Sequence, residues 1–217
     1  MQCNSAQKKE IREISKLNIS IQSIRQGEAK GLGHAILCAK KLIGREPFAI
    51  ILPDMLISKK NGNAGDSLKE MRLRFEKDEI SSILLGRAKK ADIPKYGIVE
   101  IKKNSKLPGL GLIERIIEKP TIKKAPSNLY AAGRYIFNND FFKYLSKIKP
   151  DKSNEIQLTD AIEHYIKDGK KVNAFPLEGN IFDCGDNAEY ILANLEFAMK
   201  DPSMKTKIKK YLKTRLF

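Results

Sequence analysis

The 217 residues contain no tryptophan, two histidines and three cysteines. His34 and His164 are single and far apart, and no Ser/His/Asp or Cys/His arrangement for nucleophilic catalysis is visible. Cys3, Cys38 and Cys184 are odd in number and widely spaced, which excludes a disulfide framework or a zinc ribbon. A reducing cytoplasm is the expected compartment. No apolar run reaches the roughly 18 residues that a membrane span needs. The opening MQCNSAQKKEIREISKL lacks the apolar stretch and cleavage-like site of a secretory signal.

Charge of one sign is abundant instead: 41 Lys and Arg stand against 26 Asp and Glu, a formal net charge of +15. That balance invites a nucleic-acid reading. The lysines are spread along the whole chain, however. Pairs such as Lys40-Lys41, Lys89-Lys90 and Lys170-Lys171 flank elements as solvated edges. No aromatic is interleaved with basic residues in a strand, as a single-strand binder would show. A basic nucleic-acid binder stays open only as a remote alternative. The same field would attract a phosphorylated substrate.

The apolar content of 41% fits a globular core, and the pattern predicts an α/β chain. Helices are expected at Gln7–Leu17, Gly33–Leu42, Asp66–Lys77 (with Asp66 as N-cap), Asn139–Lys147, Thr159–Lys167, Asp186–Met199 and Met204–Leu216. Strands are expected at Ile19–Ile24, Phe48–Leu52, Ser81–Arg87, Ile98–Ile101, Leu112–Glu118, Leu129–Phe137, Val172–Leu177 and Ile181–Cys184. Phe48–Leu52 is continuously apolar, as in a strand buried on both faces of a parallel sheet. Asp54 follows its carboxyl end, where open α/β sheets place ligands.

Several groups carry candidate chemistry. Arg25-Gln26-Gly27 closes one expected strand, and Gly31-Leu32-Gly33-His34 opens a helix. The backbone N–H groups there and the Gln26 amide could read a planar base. The spacing fails both the GxGxxG and the P-loop patterns. Asp54 and Asp183 each end an apolar run. Each could be a cap, and together they could hold Mg²⁺ through oxygen ligands. Glu118 and Lys119 meet Pro120 at a strand end, with side chains expected on opposite sides. They could form a surface ion pair, or bind sugar hydroxyls and phosphate. Gly133 interrupts a good strand, which points to a bulge or to a group packed on the backbone.

The ordered set RQGEAKGLGHA (Arg25–Ala35), ILPD (Ile51–Asp54), YGIVE (Tyr96–Glu100), EKP (Glu118–Pro120), APSNLYAAGRYIF (Ala125–Phe137), NEIQLTDAI (Asn154–Ile162) and FDCGDNAEY (Phe182–Tyr190) resembles the bacterial UTP–glucose-1-phosphate uridylyltransferases. The resemblance implies a nucleotide-diphospho-sugar transferase fold, a Rossmann-like mixed sheet with helices on both faces. It implies one nucleotidyltransferase domain over 1–217, with C-terminal helices at 186–217. It further implies formation of UDP-glucose and pyrophosphate from UTP and glucose 1-phosphate with Mg²⁺. By this match Gln26 and the Gly31 backbone read uracil, and Asp54 and Asp183 hold the metal. Gly97, Glu118 and Gly133 line the sugar, and Lys119 contacts the phosphates, so the catalytic set is Lys119, Asp54 and Asp183. The family's GxGTR-type phosphate loop and PKEM-like segment do not occur. The expectation is therefore an N-terminally truncated domain, with an inactive or complementing fragment as the alternative. Neither a nucleic-acid nor a membrane partner is expected, and a homo-oligomer is left open.

Overall fold

The computed structural model describes residue 16 and residues 19–59, 65–102 and 111–216. The expected helix Gln7–Leu17, apart from Lys16, lies outside the described residues.

The elements are, in order, α1 (Gly31–Ile43), β1 (Phe48–Ile51), β2 (Met55–Ser58), α2 (Asp66–Asp78), β3 (Ser81–Arg87), a 3₁₀ turn (Lys90–Lys95), β4 (Ile98–Ile101), β5 (Gly111–Ile117), β6 (Leu129–Phe137), α3 (Phe141–Leu145), α4 (Leu158–Lys167), β7 (Val172–Pro176), β8 (Asn180–Asp183), α5 (Asn187–Lys200) and α6 (Pro202–Leu216). Among the described residues, six strands form a mixed sheet in the order β1-β6-β3-β7-β5-β4, and β2 pairs with β8 in a separate two-stranded sheet. β3 and β7 run parallel, while β1–β6, β3–β6 and β4–β5 are antiparallel.

β3 shows why both faces are covered. Residues Ser81 to Gly86 are all buried. Ile83 and Leu85 point into one core cluster with α1, α3 and α4, and Leu84 points into a second cluster with α2 and β2. Alternation along a strand sends successive side chains to opposite faces, so a central strand needs apolar residues at every position. Phe137 and Phe141 stack in the first cluster, with ring centroids 3.9 Å apart.

Four expectations need correction. Ile19–Ile24 forms no strand among the described residues, and Ile19 and Ile21 are 65% and 82% exposed. An alternating pattern supplies a face but not a partner, and extended backbone becomes a strand only when another strand completes its ladder. Among the described residues β1 is an edge strand antiparallel to β6 rather than a strand inside a parallel sheet, and Ile51 is half exposed. Asp66 does not cap α2. Gly65 holds the cap position and Asp66 sits in the first turn, where its charge suits the helix dipole. β2 was not foreseen, because its four residues have no turn signal apart from Pro53-Asp54.

Replacing Phe141 by alanine should remove about 3–5 kcal/mol of unfolding free energy, as for other fully buried phenylalanines. The same change at Phe197, which is 41% exposed, should cost well under half of that. Urea unfolding of both variants followed by circular dichroism checks the contrast.

Candidate active site

The first site element is the turn between β1 and β2. β1 ends at Ile51, Leu52-Pro53-Asp54-Met55 turns the chain, and β2 then pairs with β8 so that Met55 lies opposite Asp183. The Cys184 N–H donates to the Asp54 carbonyl at 2.8 Å. Asp54 and Asp183 are therefore diagonal neighbours at the end of one antiparallel ladder, although 128 sequence positions separate them. The capping role that Asp183 could have taken belongs to Asp186, whose carboxylate accepts from Ala188 and Glu189 N–H at 2.9 and 3.2 Å. Asp183 accepts from the Gly185 N–H at 3.1 Å and from the Tyr96 hydroxyl. The Asp54 carboxylate makes no hydrogen bond among the described residues and is exposed. Two neighbouring carboxylates, one of them without an internal hydrogen bond among the described residues, suit an octahedral cation, which takes one or two protein carboxylates and fills its remaining positions with water and phosphate.

Both aspartates line a cavity of about 330 Å³ together with Gly97, Glu118 and Lys119. Its remaining wall includes Lys95, Tyr96, Tyr135, Glu155, Gln157 and Thr159. Glu118 and Lys119 do not point apart as strand alternation suggests. β5 stops at Ile117, and Lys119 adopts φ 41°, so the pair has left the strand. The Lys119 N–H donates to Tyr96 O at 3.1 Å, and Lys119 Nζ comes within 3.8 Å of Glu118 Oε1 inside the shared cavity. Thr159 Oγ1 donates to Glu118 Oε2 at 2.9 Å. Burial raises the Glu118 carboxyl above its ordinary value, opposed by the Thr159 hydrogen bond and the Lys119 charge. A side chain at Gly97 would place its Cβ 2.7 Å from Thr159 Cγ2 and 3.2 Å from Glu118 Oε2. Glycine there keeps the cavity floor open.

Gly133 does not line this cavity. It has φ 69°, and a Cβ would meet Met55 Cγ at 2.9 Å and Leu52 Cβ at 3.2 Å. The register against β3 advances two residues from Ile83 to Leu85 while β6 advances four from Tyr135 to Ala131, so Gly133 sits in a bulge. The group packed against it is the Asp54-bearing turn.

Gln26 and Gly31 flank the cavity rather than line it. Gln26 Nε2 lies 3.2 Å from Gly31 O, to which it donates, and 3.0 Å from His34 Nδ1. The start of α1 is held to the segment after α3 by the Ile156 N–H donating to Lys30 O and the Gly33 N–H donating to Ile156 O, both at 2.9 Å. Gly33 permits that approach, since a Cβ would stand 2.6 Å from Ile156 O. Glu155 and Gln157, on either side of Ile156, face the cavity.

Sequence reasoning missed Thr159, Tyr96 and Arg134. Thr159 lies within NEIQLTDAI and Tyr96 within YGIVE, so the segments were visible but not the roles. Tyr96 stacks on Tyr130 with centroids 4.4 Å apart. Burial pushes the Tyr130 hydroxyl up to about 12. A larger cavity of about 560 Å³ lies against this stack and shares Tyr96 and Asp183 with the first, but it includes none of the other residues chosen from sequence.

A nucleotidyl transferase family model matches residues 2–200. The UTP–glucose-1-phosphate uridylyltransferase of Haemophilus ducreyi is 36% identical over 206 residues, which cover 94% of this chain and 70% of the relative. Its Escherichia coli counterpart is 36% identical over 209 residues, 95% of this chain and 68% of the relative. Among solved structures, a UDP-glucose pyrophosphorylase complexed with UDP-glucose superposes with a TM-score of 0.82 at 35% identity, covering 92% of this chain and 75% of the other. A UTP-bound enzyme of the same kind from Acinetobacter baumannii gives a TM-score of 0.77 at 31% identity, covering 95% and 72%.

The raised Glu118 carboxyl makes a pH prediction. The fold disfavours ionised Glu118, so the destabilisation is absent below its ordinary value of 4.5. It grows as pH rises from there and levels off above the folded-state value. Glu118→Gln removes it while still accepting from Thr159. The variant should melt with the wild type at pH 4 and above it at pH 7 in paired thermal scans.

Proposed function

The chain belongs to the nucleotidyl transferase family and, within it, to the UTP–glucose-1-phosphate uridylyltransferases, and from that membership we propose that it joins UTP and glucose 1-phosphate to give UDP-glucose and pyrophosphate. The observation that carries this reading is the convergence of Asp54, Asp183, Gly97, Glu118 and Lys119 on one cavity. Its volume lies near the lower end of small-ligand clefts, about 300–1,000 Å³. The match does not favour the alternatives of a complementing piece or a nucleic-acid binder. One sheet bearing both core clusters supports reading residues 1–217 as one nucleotidyltransferase domain, and the compartment is read as the cytoplasm.

In this reading both substrates are anions, and the sugar phosphate attacks the α-phosphorus of UTP in line with the departing pyrophosphate. No covalent nucleophile is needed, so the protein must position the reactants and neutralise charge. Lys119 supplies a cation toward the reacting phosphates. Glu118 is held by Thr159 and accepts from sugar hydroxyls, and Gly97 leaves room for the ring. Gln26 commits its amide nitrogen to Gly31 O and His34, which leaves its carbonyl oxygen for the imide N–H of uracil, beside the Gly31 backbone. Gly133 acts behind the sugar pocket by seating Leu52 and Met55. Asp54 and Asp183 would hold a divalent cation, read as Mg²⁺. When bound, it would offset the negative charge that gathers on the phosphate oxygens.

Purified protein given UTP, glucose 1-phosphate and Mg²⁺ should release pyrophosphate, measured with a coupled phosphate assay. Lys119→Ala should slow release about 10²–10³-fold, the usual loss for one electrostatic contact to a transition state. Asp54→Asn and Asp183→Asn should each do at least as much. Equal rates in the Lys119 variant and the wild type would overturn this assignment.

A further inference from the structure

Arg134 is half-buried, next to the bulge at Gly133. Its Nη1 donates to Leu52 O at 2.9 Å and to Gly133 O at 3.0 Å, and its Nη2 donates to Met55 O at 2.8 Å. The Leu52 and Met55 carbonyls stand on either side of Pro53-Asp54. One planar guanidinium therefore spans the turn that presents Asp54, whose own carboxylate makes no hydrogen bond among the described residues. A lysine could not do the same, because a single ammonium cannot reach both carbonyls with a rigid fork.

We propose that Arg134 is a positioning residue for Asp54: by clamping the Leu52 and Met55 carbonyls it sets the Asp54 carboxylate at the spacing from Asp183 that a divalent cation requires. The inference rests on reading Asp54 and Asp183 as the metal pair. The clamp also explains the bulge. Positive φ at Gly133 seats the turn against β6, and Arg134 is the next residue along. The turn is then tied from two sides, since the Leu52 N–H donates to Gly133 O at 2.9 Å.

Charge and position predict opposite outcomes. The Arg134 cation lies near Asp54. If it acted only through its charge, removing it would strengthen cation binding there. If it holds the carboxylate in place, removing it weakens binding. The test uses the full chain with Mn²⁺ as probe, read by the loss of the free Mn²⁺ resonance signal with UDP-glucose present. Arg134→Gln and Arg134→Lys should both bind Mn²⁺ about tenfold more weakly. Arg134→Ala should regain affinity in millimolar methylguanidinium, which restores the fork without the tether. Thermal melting of the same samples reports folding, and Arg134→Lys preserves the buried charge if the others melt early. Unchanged Mn²⁺ affinity with lowered melting would reduce Arg134 to a structural tie, and tighter binding would make it a charge effect, so either result overturns the proposal. If wild-type protein binds no Mn²⁺, or if Asp54→Asn binds it as well as wild type, the metal pair itself fails and the inference falls with it.

Discussion

The carbonyl of Gly133 is the point on which the site depends. It accepts the Leu52 N–H at 2.9 Å and an Arg134 N–H at 3.0 Å. The first bond ends the β1–β6 ladder, and the second begins the tie to the next turn. A residue with a Cβ would collide with Met55 here and would also resist the positive φ. Without this close approach, the Asp54 turn would stand off the sheet. β2 would then lose the register that sets Met55 against Asp183.

The site combines groups that folding alone does not favour. Glu118 is pressed into a setting that raises its proton affinity, and Lys119 departs from strand geometry with φ 41°. Such local costs concentrate where chemistry needs them and are carried by the packed remainder. Here the remainder is a sheet with apolar clusters on both faces, in which Phe137, Phe141 and Ile83 are fully buried. The net charge of +15 gives the chain a long-range field of the sign that attracts anions.

Much of the fold was legible in the residues. Ser81–Arg87, Ile98–Ile101 and Leu129–Phe137 form strands with the bounds the pattern implies, because β-branched and aromatic runs between turn residues have few other uses. Ile19–Ile24 shows the limit of such reasoning. Its alternation is genuine, yet it has no ladder partner among the described residues. Five of the eight chosen site residues share one cavity, while Gln26 and Gly31 flank it and Gly133 supports it from behind. Arg134 escaped notice because nothing in its local sequence separates an arginine that clamps two carbonyls from one that faces water.

By itself the sequence determined the element types, the family and the identity of the acidic and basic groups, since these follow from local periodicity and from short ordered segments. Only the tertiary structure decided that Asp54 and Asp183 are neighbours, that Glu118 and Lys119 share a side, and that Gly133 receives the Asp54-bearing turn. Each of these depends on strand register, a bulge or a departure from strand geometry. Those are set by hydrogen bonds between residues far apart in the chain, and no local pattern encodes them.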